Sequence, residues 1–263
     1  MTTPRRLVFG EVADLYDRHR PSYPPALIDD IVAGAGLRDG DRALEVGAGT
    51  GKATALLAAR GVNVVAIEPS AEMAALARRN CAAYAGVQVI ETDFERWSPD
   101  GERFGLLYSA QAWHWIDPAV GYRRAREALI PGGLLAVFWN RPAWGDSPLR
   151  AALAAAYRAA APDMDTDGPL HPANPHPGNE DRDWAAEIAA VPGFTGAQTR
   201  LYEWEIGYSA DEFRGLLGTL SEIALLDPDR RRALLDGVGA AVDAHGGRLQ
   251  MPMATRLGLG RAA

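Results

Sequence analysis

The run Ala43-Leu44-Glu45-Val46-Gly47-Ala48-Gly49-Thr50-Gly51-Lys52-Ala53-Thr54 limits the fold of this chain more than any other stretch. A short apolar segment carrying one acidic residue ends in three alternating glycines, and an alanine- and leucine-rich helical pattern follows. That order reads as a buried strand, a tight turn without side chains, and the start of a helix. Glycines allow a ligand close to the backbone. The first turn of the helix offers unpaired N–H groups at its positive end.

The spacing narrows the ligand. A phosphate-cradling G-x-x-x-x-G-K-[ST] loop fails at both ends, because Val46 leads and Ala53 follows Gly51-Lys52. A G-x-G-x-x-G/A turn, as in NAD(P)-dependent dehydrogenases, accepts Gly47 and Gly49. It meets Lys52 where close helix–strand packing needs a small residue.

The rest of the chain alternates. Strands are expected at 42–46, 62–67, 87–91, 104–109 and 134–139, with helices near 25–34, 52–60, 70–84 and 118–129 between them. The Ile130-Pro131-Gly132-Gly133 stretch is expected as a turn. Two further strands at about 197–206 and 248–259 look antiparallel. The expectation is a doubly wound, mostly parallel seven-stranded α/β sheet, whose ligands sit at the carboxyl ends of the strands. Residues 1–143 form the binding core with an N-terminal lid helix. Residues 144–263 complete the sheet and add a helical cap from insertions 144–183 and 209–245, the second read as an up–down helical pair.

Several residues of interest fall at those strand ends. Glu68 closes the second strand, 19 residues beyond Gly49, where a carboxylate accepts both hydroxyls of a ribose. Asp93-Phe94 follows the third strand and Ser109-Ala110-Gln111-Ala112-Trp113-His114-Trp115 the fourth. Asp117-Pro118 then caps a new helix. Arg141 leaves the fifth strand at the same edge.

These motifs carry a family resemblance. Glu45, Gly47, Gly49 and Gly51 resemble the E-x-G-x-G-x-G loop of class I S-adenosylmethionine (SAM)-dependent methyltransferases with the Rossmann-like fold. Tyr16, Arg20-Pro21 and Tyr23-Pro24 resemble the Y-x-x-x-R-P-x-Y-P opening of a small-molecule group that includes trans-aconitate methyltransferase-like proteins. Ser109, Ala112, Trp113, His114 and Trp115 resemble that group's S-x-x-A-aromatic-His-aromatic loop, and the Pro-Gly-Gly before the fifth strand is a further family feature. The resemblance runs from about Phe9 to Trp139.

It implies SAM as cofactor and S-adenosylhomocysteine as product. Expected cofactor contacts are Tyr16, Arg20 and Tyr23 at the methionine end; Glu45, Gly47, Ala48, Gly49 and Gly51 in the loop; Glu68 and Pro69 at the ribose; and Met73, Asp93 and Phe94 at the adenine. Ala110 and Gln111 lie beside the donor. Trp113, His114, Trp115 and Arg141 would face a small-molecule acceptor through a carboxylate or hydroxyl, with His114 the candidate base. A SAM binder that regulates or runs another reaction is the alternative, and an NAD(P)-dependent dehydrogenase a weaker one.

Charge and composition exclude other classes. The formal net charge of −7 argues against a general grip on nucleic acid. The single cysteine, Cys81, permits no internal disulfide and no cysteine-rich zinc site, and its helical neighbours Met73, Ala77 and Tyr84 read as packing. Asp163-Met164-Asp165-Thr166-Asp167-Gly168 imitates a calcium loop but puts Asn174 where a bidentate glutamate is needed. His171 and His176 are poorly spaced ligands, so no metal is expected. No apolar run has membrane-spanning length, and a cytoplasmic protein, monomeric or homodimeric, is expected.

Overall fold

The computed structural model describes residues 13–164, 170–172 and 183–263. Its strands are β1 (Arg42–Val46), β2 (Asn63–Glu68), β3 (Val87–Glu91), β4 (Phe104–Ala110), β5 (Leu129–Pro142), β6 (Phe194–Ser209) and β7 (Arg248–Ala262). They form a seven-stranded sheet in the order β3-β2-β1-β4-β5-β7-β6. Strands β1 to β5 pair in parallel, and β7 and β6 add antiparallel neighbours. The expected doubly wound, mostly parallel seven-stranded sheet is therefore the fold, and its order reverses between β1 and β4, where an open α/β sheet presents its crevice.

Helices α1 (Ala13–His19), α2 (Pro25–Ala35), α3 (Lys52–Ala58), α4 (Ala71–Asn80), α5 (Pro118–Ala128), α6 (Pro148–Ala160), α7 (Trp184–Ala190), α8 (Ala210–Gly218), α9 (Ser221–Ala224) and α10 (Pro228–Ala244) flank the sheet. Successive strand residues point to opposite faces, which sorts the near-continuous apolar runs into two cores. Ala43, Val64, Ala66, Leu106 and Phe138 pack with Leu27, Ile28 and Ile31 of α2 and Leu57 of α3. Leu44, Val46, Ile67, Leu107 and Val137 pack on the other face with Tyr122 and Ala125 of α5 and Trp184 and Ile188 of α7.

A third core belongs to the cap. The β6–β7 ribbon runs past the end of β5, whose pairing stops at Pro142 opposite Met253. There Leu249, Met251 and Met253 meet Leu153 and Tyr157 of α6, Phe213 and Leu216 of α8, Ile223 of α9 and Val238 of α10. Where a two-helix insertion was expected at 209–245, three helices stand, because Thr219–Leu220 breaks the path between α8 and α9.

Other departures have local causes. The Ile130–Gly133 segment is not a separate turn. It bulges within β5, so that Leu129 pairs with Phe104 and Leu134 with Leu106, while Gly132 takes φ 77°. Strand β6 starts earlier than 197, because a bulge between Thr195 and Gln198 interrupts the alternation used to find it. Helix α3 stops at Ala58 rather than Arg60, and a turn through Gly61, at φ 81°, leads to β2. Phe9 and Val12, and the Asp165–Gly168, Asn174 and His176 positions, lie outside the described residues. Asp163 pairs with Arg230, and buried His171 packs edge-on against Tyr157 at 4.4 Å.

Candidate active site

The carboxyl ends of β1, β2, β4 and β5 open on a cavity of about 340 Å³, roofed by α1 and by Leu220 with the start of α9. Its floor is the glycine loop. Gly47 and Ala48 donate their N–H groups to Ile67 O at 2.9 and 3.0 Å, so the loop is stitched to the end of β2. Gly47 has φ 74°, and a Cβ there would lie 2.3 Å from Ala112 Cβ, so glycine lets the 110–115 loop close on it. Gly49, at φ 58°, differs: a Cβ would meet nothing within 4 Å, and the space above it is cavity.

Gly51, expected with the cofactor loop, points away from the cavity. It is absent from the cavity wall, and a Cβ on it would press on Cys81 Sγ at 3.1 Å and Ala77 Cα at 3.2 Å. This glycine serves the contact between loop and α4. Thr50, not singled out from sequence, lines the cavity instead, with a buried hydroxyl that has no hydrogen-bond partner among the described residues.

Two carboxylates sit behind the floor. Glu68 Oε2 accepts from Gly49 N at 2.8 Å and Oε1 from Ser70 N at 2.9 Å, so one side chain joins the glycine loop to the start of α4. Burial raises its pKa, while these two N–H donors pull it back. Glu45 is 1% exposed and lies beneath the loop, where Oε2 accepts from Thr54 Oγ1 and from Tyr108 OH at 2.9 Å. Burial pushes its carboxyl up to about 7 against both hydrogen bonds, and Glu68 adds repulsion. Pro69, Met73, Asp93 and Phe94 complete this wall. Asp93 O accepts from Arg96 N and Trp97 N in a short turn, and the Phe94 ring packs on Trp97 and Trp113.

The N-terminal segment forms the roof. Tyr16 packs on Met73 and Leu76 of α4. Lys52 Nζ donates to Asp17 O at 2.5 Å and lies 3.8 Å from its carboxylate, which accounts for a large residue where a dinucleotide turn needs a small one. Arg20 stands over the Tyr16 ring at 4.9 Å, and its Nε and Nη2 donate to Thr219 Oγ1 and O at 2.8 and 3.2 Å. Tyr23 meets Phe138 edge-to-face at 4.9 Å, and burial raises its hydroxyl pKa well above normal. Asn140 Nδ2 donates to Ser22 O at 2.8 Å and Asn140 Oδ1 accepts from Thr255 Oγ1 at 2.6 Å, pinning the segment to the sheet.

Opposite the floor, the loop after β4 is set by Gln111, which has φ 59° and donates its N–H to Phe138 O at 2.9 Å. Ala110, Gln111, His114 and Trp115 line the cavity. Trp113 does not. It is 2% exposed and packs between Phe94 and Tyr122, because the short 3₁₀ turn Trp113–Trp115 sends the first tryptophan into the core and the third residue outward. His114 stands 4.5 Å from the Trp115 ring and 5.8 Å from Trp139, itself stacked on Trp184 at 4.3 Å. Arg141 reaches the same wall from the end of β5. Leu220, Ser221 and Glu222 close it from the cap, and nothing in their local sequence marks them.

Residues 43–133 match the family model of a methyltransferase domain. Uncharacterized methyltransferases of Mycobacterium bovis and Mycobacterium tuberculosis are 40% identical over 143 residues, 53% of this chain and 56% of theirs. The chain thus spans about half the length of the curated relatives it matches. Among solved structures, a SAM-dependent methyltransferase from Thiobacillus denitrificans in complex with S-adenosyl-L-homocysteine aligns with TM-score 0.55 and 19% identity over all of both chains. A SAM-dependent methyltransferase from Geobacter sulfurreducens, in complex with the same molecule, aligns with TM-score 0.54 and 16% identity over 99% of each. At these identities the likeness is one of fold. Among the described residues no helix is long and apolar enough to cross a membrane. The sheet order, with the glycine loop at its switch point, is the Rossmann-like fold that these solved methyltransferases share, and residues 43–133 are similar to a methyltransferase domain.

Proposed function

We propose that this protein transfers the methyl group of SAM to a carboxylate or hydroxyl oxygen of a small-molecule metabolite and releases S-adenosylhomocysteine. One observation carries the reading: Glu68 is held at the carboxyl end of β2 beside the open space over Gly49. Each carboxylate oxygen has room for about two hydrogen bonds, and each is engaged by one backbone N–H, so both can also accept a ribose hydroxyl. The unpartnered Thr50 hydroxyl adds a polar group for the ligand. Met73, Asp93 and Phe94 form the adenine end, and Tyr16, Tyr23 and the Gly47–Gly49 backbone the methionine end.

Bound SAM supplies an electrophilic methyl on a sulfonium. The chain's own work is positioning and exclusion of water, with the acceptor oxygen placed in line with the methyl–sulfur bond. As the acceptor oxygen took the methyl, the sulfonium would leave with the electron pair of its carbon–sulfur bond. His114 takes the proton of a hydroxyl acceptor or donates a hydrogen bond to a carboxylate one. Arg141 pairs with an acceptor's negative charge and Trp115 covers its apolar part.

Calorimetric titration of SAM and S-adenosylhomocysteine into wild type and Glu68→Ala tests the cofactor. The expected result is binding by wild type that falls about 100-fold or more in the variant, the loss of two hydrogen bonds to a charged group at about 1.5 kcal/mol each. No binding by wild type would sink the reading, and NAD(P) would be titrated next. For the second role, His114→Ala is expected to lower turnover about 100-fold, the lower end of acid–base contributions. A loss of only a few-fold removes His114 from the chemistry.

A further inference from the structure

Helix α1 touches both halves of the cavity. On the cofactor side it is tied by the Lys52–Asp17 contact and by Tyr16 against Met73. On the acceptor side the bridge is Arg20, whose guanidinium grips the hydroxyl and the carbonyl of Thr219 together. Thr219 is 2% exposed, ends α8, and directly precedes Leu220, Ser221 and Glu222 of the cavity wall. Helix α9, which carries Ser221 and Glu222, has only 4 residues, too few to be stable without outside support. It is held by Ile223 in the cap core and, at its N-terminal end, by Thr219, which Arg20 grips.

We infer that Arg20 is a positioning residue that couples the two ligands: cofactor bound beneath α1 steadies α1, and Arg20 passes that order to Thr219 and the acceptor roof. The inference rests on the SAM-binding reading above. By linkage a bound acceptor tightens the cofactor by the same factor as the cofactor tightens the acceptor. Arg20 is thus spent on the protein's own roof.

The coupling is read from the backbone amides of Ile223, Ala224, Leu225 and Leu226, which close α9 by bonding to Leu220, Ser221 and Ile223 carbonyls. Hydrogen exchange would be followed in the full chain with and without saturating S-adenosylhomocysteine, occupancy being checked by calorimetry. In wild type the ligand should slow these amides about fivefold or more, the lower end of ordinary coupling. In Thr219→Val, and in Arg20→Met saturated at whatever concentration it needs, most of that ligand-dependent slowing should vanish. A purely structural role would shift exchange equally with and without ligand. Bound ligand with no slowing in wild type, or equal slowing in both variants, overturns the coupling. Absence of binding overturns the cofactor reading, and the coupling falls with it.

Discussion

Glu45 is a carboxyl group that the fold keeps close to its protonated form. Its folded pKa of about 7 exceeds the ordinary value of 4.5, with burial the main cause. A raised acid contributes stability that is fully present below its unfolded pKa. That stability is lost as pH climbs through the folded pKa, here between about 4.5 and 7. The loss is on the order of 3 kcal/mol. Glu45→Gln retains an oxygen for Thr54 and Tyr108 and cannot ionise. Denaturant unfolding at pH 5 and pH 8 should show wild type losing stability across this interval relative to the variant. Parallel pH profiles for the two proteins would show that Glu45 is ionised throughout. At the same scale, the glycines behave as individuals: Gly49 faces the open cavity, Gly47 faces Ala112 and Gly51 faces α4. The sequence spacing marks all three alike, because it records the need for a missing Cβ and not what fills the space.

Among elements, α1 is fixed by partners from distant parts of the chain. It is held from Lys52, Thr219 and Asn140 (through Ser22), residues spread over the glycine loop, the cap and β5. Lys52→Met keeps the aliphatic stem and removes the charge. The expected outcome is S-adenosylhomocysteine binding weakened about tenfold, equivalent to one charge-assisted hydrogen bond of about 1.5 kcal/mol. Exchange of the Arg20 amide, bonded to Tyr16 O, should quicken in parallel. Unchanged affinity would assign Lys52 to local packing alone. The 3₁₀ turn at Trp113–Trp115 shows a related limit. Its aromatic-His-aromatic pattern is plain in the sequence, yet the two tryptophans part company, one to the core and one to the cavity. Only the backbone path after Gln111 decides which.

Across the whole molecule, the sheet and the cap share strands. β6 and β7 serve the sheet with one end and the cap core with the other, and residues from both parts line the cavity. A ligand in that cavity should therefore stabilise the chain as one unit. At a free concentration 100 times its dissociation constant, S-adenosylhomocysteine should add about 2.7 kcal/mol. For a chain of this size that is a rise in Tm of about 5–10 °C. Differential scanning calorimetry should show one transition moving. A cap transition that stays in place while the sheet transition moves would show that the two parts unfold separately.

The order of the strands, the doubly wound sheet and the crevice at its carboxyl edge were legible in the linear chain, and so were the main helices, though not the short α9. Each follows from local rules: apolar runs of strand length, alternation with helical periods, glycines at turns and prolines at helix starts. The same rules bring Glu68, Asp93, His114 and Arg141 to one edge, since every parallel strand ends there. What they cannot reach is any choice made by a distant partner. The roof at Leu220–Glu222, the grip of Arg20 on Thr219, the burial of Trp113 and the contact of Gly51 with α4 all join residues far apart in sequence. Such contacts form only when the sheet has brought their elements together, so tertiary packing settled them.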